Sequence, residues 1–183
     1  MKFLRDAVGA ITWVNGWVGR LTAYLVLPMF VLLLMEVGFR YVLRAPSVWT
    51  GELSQLIFGV YALMGGGYLL ANNGHVSVDI FYANYARRTQ ARMDVATSIL
   101  FFLFVGVIVW QGASLAYDSV TRLETSQSAW NPPIWPVKLM IPVAALLLFL
   151  QGLAKLLNDI MIATGRPPIL TETKSDHSAG AEL

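Results

Sequence analysis

Apolar residues run along this chain in four long blocks, and charge is confined to the gaps between them. Residues 53–71 and 95–117 contain no Asp, Glu, Lys, Arg or His, and residues 139–154 are equally uncharged behind an approach, 125–137, that is rich in Pro and Trp. Residues 21–39 make the fourth block, broken only at Glu36. A helix needs roughly 20 mostly apolar residues to cross the hydrocarbon of a bilayer, so the pattern predicts four membrane-spanning helices. None of the blocks has the strict two-residue alternation of a half-buried strand, so the expected fold class is all-α.

The punctuation between the blocks sets the connections. Pro28 lacks an amide donor and crowds the preceding turn, which predicts a bend in the first span. Arg44, Ala45, Pro46 and Ser47 form a short reversal, with Ser47 or Thr50 available to cap the second helix. Asn72-Asn73-Gly74 closes that helix, and a short interfacial helix is expected from His75 to Tyr85. Gln127 to Pro136 holds three prolines and two tryptophans, so it predicts a shaped loop that delivers the fourth span. Residues 1–20 form an N-terminal segment whose apolar positions Val8, Ile11, Val14, Trp17 and Val18 suit an interfacial amphipathic turn. The membrane domain is expected over 21–158, followed by a tail over 159–183 that is disordered from about 166.

Composition sharpens the membrane reading. Only 13% of the 183 residues are charged and 56% are hydrophobic. A soluble domain carries about 25% charged residues, and this chain has too little polar material to cover four such blocks. The first block continues to Phe39 without a small-residue cleavage pattern, so it reads as a retained span rather than a signal peptide.

The distribution of Lys and Arg predicts topology. Nine lie in the N-terminal segment, the 72–94 connection and the C-terminal end, against four (Arg40, Arg44, Arg122 and Lys138) on the other side. Positive residues mark the cytoplasmic face, so both termini are expected inside, with the 40–50 and 118–138 connections facing the periplasm of an inner membrane. The net charge is only +2 and the basic residues sit at span ends, which excludes a nucleic-acid surface.

Candidate chemistry is sparse. The chain has no cysteine, so disulfides, thiolate metal sites and cysteine nucleophiles are absent. His75 and His177 are its two histidines, and His177 lies in the polar tail, so a bis-histidine haem is excluded and no cofactor is expected. No phosphate-binding, zinc-protease or nucleophile-elbow motif occurs, and the chain is expected not to be an enzyme.

What remains is a small set of polar and glycine positions. Glu36 and Arg40 are four apart near the outer end of the first span, where an intrahelical ion pair offsets the cost of a carboxylate in the membrane. Glu52 enters the second helix across the reversal, within reach of the same arginine. The three either lock the hairpin, pair with another subunit, or stand as independent headgroup-facing charges. Gly65, Gly66 and Gly67 predict close approach of helix backbones. His75 and Asp79, also four apart, read as a hydrogen-bonded pair, since a metal would need a third ligand.

These positions make the chain resemble the small membrane subunit, the DctQ-like Q subunit, of tripartite ATP-independent periplasmic (TRAP) transporters. The resemblance is carried by Glu36 with Arg40-Tyr41, Trp49 with Glu52, the glycine-rich second span followed by His75-Val76, Val78 and Asp79, and Trp130, Pro132-Pro133 and Trp135 leading into Pro142 and Leu146. It implies a non-catalytic subunit that scaffolds a large permease in sodium-driven uptake of an organic anion captured by a periplasmic substrate-binding protein. Membrane lipids are the remaining expected partner. On this resemblance Glu36, Arg40, Trp49 and Glu52 become candidates for subunit contact or hairpin locking. Gly65 to Gly67 remain packing candidates, with His75 and Asp79 as inner-end structural residues. Trp130, Asn131, Pro132, Pro133 and Trp135 become candidates for docking the binding protein. The rival readings are an anchor subunit of an enzyme or electron-transfer complex, and an autonomous small channel or exporter.

Overall fold

A computed structural model describes residues 2–72, 85–165 and 167. Its helices are α1 (Lys2–Ala23), α2 (Val26–Val37), α3 (Thr50–Ala71), α4 (Arg87–Thr121) and α5 (Trp135–Ala163), with a π-helical turn over Gly38–Val42 extending α2. Four segments are long and apolar enough to cross a membrane: Arg5–Val42, Thr50–Ala71, Arg87–Thr121 and Trp135–Ala163. The chain is therefore all-α with four candidate spans. His75, Asp79 and the interfacial helix expected at 75–85 fall outside the described residues, apart from Tyr85, as does the 168–183 tail.

The interruption between α1 and α2 has a local cause. Pro28 has no N–H and its ring crowds the carbonyl of the preceding turn, so the chain tightens there: Tyr24 N donates to Leu21 O, Leu25 N to Thr22 O and Leu27 N to Tyr24 O, all i→i−3 bonds of 3.0–3.2 Å. Thr22 adds to the distortion by donating its hydroxyl to Val18 O at 2.7 Å. The expected bend at Pro28 is thus a tightened turn just before it.

α1 runs across the boundary expected at residue 20, continuing to Ala23, and packs on α3 and α5. The reason is a buried stripe at helical spacing, Val8, Asn15, Gly19 and Thr22, that belongs to the bundle. At the other end, α5 runs past residue 158 to Ala163.

The bundle centre is made of small residues rather than bulky ones. Ala91, Ala116, Ala144, Ala145 and Ala154 are buried, while Leu100, Leu103, Phe104 and Trp110 on α4 point outward, Trp110 at 78% exposure. This is the arrangement expected in lipid, where apolar burial gives helices little reason to associate and close backbone approach supplies the contact. Gly112 illustrates it: a Cβ added there would lie 3.0 Å from Ile141 Cγ2 and 3.5 Å from the nitrogen of Pro142. The α4–α5 pair is closed further by Phe102 and Phe149, edge to face at 5.1 Å.

Candidate functional site

The polar residues gather at three places, one of them at the end of the bundle that carries the α2–α3 hairpin. There the register of α2 puts Glu36 opposite the start of α3. Glu36 Oε1 accepts from Arg40 Nη2 at 2.5 Å, and Glu36 Oε2 accepts from the hydroxyl of Thr50, which is fully buried. The cluster is completed by Ser47, whose Oγ accepts from the backbone N–H groups of Trp49 (3.2 Å) and Thr50 (3.1 Å) and whose own hydroxyl is free to donate to Thr50 Oγ1, 3.0 Å away. Ser47 thus takes the first amide of α3, at Thr50, and that of Trp49 just before it, part of the capping work expected of it or of Thr50. Arg40 itself is 57% exposed beyond the pair. The hairpin turns at Arg44, held at φ 53°, with Ala45 N donating to Phe39 O at 3.0 Å.

Glu52 does not join Arg40. Two positions along an α-helix turn the side chain by about 200°, so with Thr50 facing Glu36 the Glu52 carboxylate faces away. It turns to the 122–134 connection instead, accepting from Ser128 Oγ at 2.5 Å. Trp49 follows, its ring 6.5 Å from that of Trp130.

That connection is shaped by backbone bonds at residues flanking its prolines. Ser126 N donates to Pro132 O at 2.8 Å and Ile134 N to Glu124 O at 3.0 Å, so Thr125 and Pro133 face each other as a single bridge without needing an N–H from Pro133. Leu123 and Asn131 take positive φ at its two corners. Lys138 Nζ donates to Glu124 Oε2 at 2.6 Å, pinning the loop to the first turn of α5. Lys138, with a lesser pull from the Ser119 hydroxyl, which lies outside hydrogen-bond geometry, holds the Glu124 carboxyl below the usual carboxylate range. Of the five loop positions singled out in the sequence, Trp130, Asn131 and Pro133 are exposed and Trp135 is half-buried in the first turn of α5. Pro132 is buried and shapes the loop from within.

The glycine run divides. A Cβ at Gly65 or Gly66 would meet nothing within 4 Å, whereas at Gly67 it would collide with Oδ1 of Asn15 and approach the backbone of Leu147. Among the described residues close packing therefore involves Gly67, while Gly65 and Gly66 meet no neighbour. The face a glycine presents depends on helix rotation, which three adjacent glycines leave unmarked.

The second polar centre joins α1, α3 and α5 and escaped the sequence reading. Asn15 Nδ2 donates to Gln151 Oε1 at 3.1 Å and to Ile11 O at 3.2 Å, and Gln151 Nε2 donates to Thr12 Oγ1 at 3.4 Å. Asn15 and Gln151 are 1% and 2% exposed. Only the uncharged polar character of Gln151 within an apolar block could have signalled it. The third centre, at the same end of the bundle, is Asp94 of α4 with Lys155 and Asp159 of α5 around a cavity. No group of three or more potential metal ligands occurs among the described residues.

With this geometry in place, two likenesses place the chain. The model of the family described as tripartite ATP-independent periplasmic transporters, DctQ component, matches residues 29–161. A relative named sialic acid TRAP transporter small permease protein SiaQ, from Vibrio cholerae serotype O1, is 22% identical over 169 residues, which is 90% of each chain.

Proposed function

The chain belongs to the DctQ family of tripartite ATP-independent periplasmic transporters, and on that premise we propose that it is a non-catalytic brace for a large permease subunit. Membership of the family makes it a multi-pass small permease subunit of a transporter. In this role the chain enlarges the fixed part of a sodium-driven permease fed by a periplasmic binding protein, and holds neither the substrate nor the sodium site.

The observation that carries this reading is where ionised groups stand. Among the described residues the ionised side chains of α3, α4 and α5 stand toward the helix ends, Arg20 within the first span is exposed and donates back to Gly16 O, and the polar groups buried between helices near Asn15 are neutral amides bonded to one another. A self-sufficient secondary transporter would be expected to present broken helices and polar ligands near the membrane centre. An outward surface of large apolar side chains on α4 suits lipid or a partner.

The substrate class we infer is an organic carboxylate. The Vibrio cholerae relative is named for sialic acid, which is such an anion, and selection among carboxylates is assigned here to the partners. In the proposed topology both termini are cytoplasmic in the inner membrane. The hairpin at Arg44 and the loop at Trp130 then share the periplasmic face, where the exposed Trp130, Asn131 and Pro133 offer a docking edge to the binding protein.

Reconstitution tests the proposal. Proteoliposomes holding this chain alone, with binding protein and a sodium gradient, should take up no substrate, and adding the large permease should restore uptake. Uptake by the chain alone would overturn it.

A further inference from the structure

Near the end of the bundle opposite the hairpin, α4 and α5 part around a half-open cavity of about 280 Å³. Its wall changes character along the helix axes. Asp94, Lys155 and Asp159 line the part nearest the helix ends, while Phe101, Phe102 and Gly152 line it further in. Asp94 and Phe101 are seven residues apart, about 10 Å of helix rise, which is the distance from a headgroup region into hydrocarbon.

The charges inside do not balance. Lys155 Nζ lies 3.7 Å from Asp94 Oδ2, a loose pair. Asp159 is only 8% exposed, and no hydrogen bond reaches its carboxylate from the described residues. The neighbouring hydroxyls are spent on their own helix: Thr97 donates to Met93 O and Ser98 to Val95 O, at 3.0 and 2.7 Å. Among the described residues one lysine therefore faces two carboxylates, and the more buried of the two has no donor. A buried anion without a donor is costly, so the complement this cavity lacks is a cationic hydrogen-bond donor carrying an apolar body.

The geometry points to a binding site for one aminophospholipid, its primary ammonium on Asp159 and Asp94, its phosphate beside Lys155 and an acyl chain along Phe101 and Phe102. A quaternary headgroup carries the same charge but no N–H to donate, and an anionic headgroup would meet a net negative pocket. The inference rests on the four helices lying in a bilayer and is independent of the transport role.

Native mass spectrometry of the full chain released from nanodiscs of equal phosphatidylethanolamine, phosphatidylcholine and phosphatidylglycerol reads it directly. Phosphatidylethanolamine should be retained about fivefold or more over either competitor, the scale of one charge-assisted hydrogen bond. Asp159→Asn should bring the ratio close to one while Arg5→Ala leaves it unchanged. Should Asp159→Asn not fold, N-methylated phosphatidylethanolamines with the unaltered chain serve instead, retention falling with each N–H lost. Equal retention of phosphatidylcholine, preference for phosphatidylglycerol, or an unchanged ratio in a folded Asp159→Asn variant would each overturn the site. Displacement by soluble glycerophosphoethanolamine would assign it to a free amine, and loss of the preference on binding the large permease to a cation of that partner; either result also overturns it.

Discussion

Asn15 and Gln151, 136 residues apart in the chain, meet through a 3.1 Å hydrogen bond that ties the first helix to the last. Both amides are buried, so neither can exchange its partner for water. Gln151→Leu strands part of the Asn15 amide and Asn15→Ala strands the Gln151 oxygen. Each change is expected to cost about 1 kcal/mol, and the pair should show coupling of about 0.5–1.5 kcal/mol in a double-mutant cycle read by unfolding in detergent. Strict additivity would remove the bond from the account of stability.

Gly67 and Gly66 should respond oppositely to alanine. At Gly67 the methyl group meets Asn15, and overpacking of this kind costs about 1–3 kcal/mol. At Gly66 the site is open among the described residues, and helix propensity favours alanine by up to about 1 kcal/mol. Thermal unfolding of the two variants of the chain alone gives the comparison, and equal midpoints would refute it.

Hairpin closure should depend on Thr50 as much as on Arg40. Thr50→Val removes the buried donor to Glu36, and Arg40→Ala removes the exposed one. Both are expected to lower recovery of the complex with the large permease, whereas Arg122→Ala should not. Recovery unchanged by all three would make the cluster irrelevant to assembly.

Acid should loosen the Trp130 loop. The Glu124 carboxyl is held below its ordinary value chiefly by Lys138, so its contribution is complete above the unfolded carboxylate pKa and is lost as pH falls through the lower folded one. Trp130 emission or loop amide exchange should therefore change in that acid window. Glu124→Gln should abolish the pH dependence, and its persistence would place the titrating group elsewhere.

The absence of cysteine makes topology accessible. Gln127→Cys in the loop and Ala86→Cys before α4 are both at exposed positions. In intact spheroplasts an impermeant maleimide should label the first and spare the second. The reverse pattern would invert the orientation inferred from the Lys and Arg distribution.

Much of this architecture is legible in the sequence because bilayer thickness acts on local composition. Four uncharged blocks become four candidate spans, Pro28 marks its turn, and the four-residue spacing of Glu36 and Arg40 becomes their ion pair. What escapes is whatever depends on helix rotation or on partners distant in the chain. Glu52 and Thr50 face opposite sides of α3, Gly67 is used where Gly65 and Gly66 are not, and Gln151 finds Asn15 only once α1 and α5 are side by side. Asp159 reads as the start of a tail, yet α5 carries it into the wall of a cavity.

The tightened turn before Pro28 gives the first span two separate footings. α1 is keyed to α5 through Asn15 and Gln151, while α2 is keyed to α3 through Glu36 and Thr50. A push on the hairpin is therefore delivered to α3 first. The i→i−3 turn from Leu21 to Leu27 separates these two footings within the first span, and α3 joins them again where Gly67 abuts Asn15.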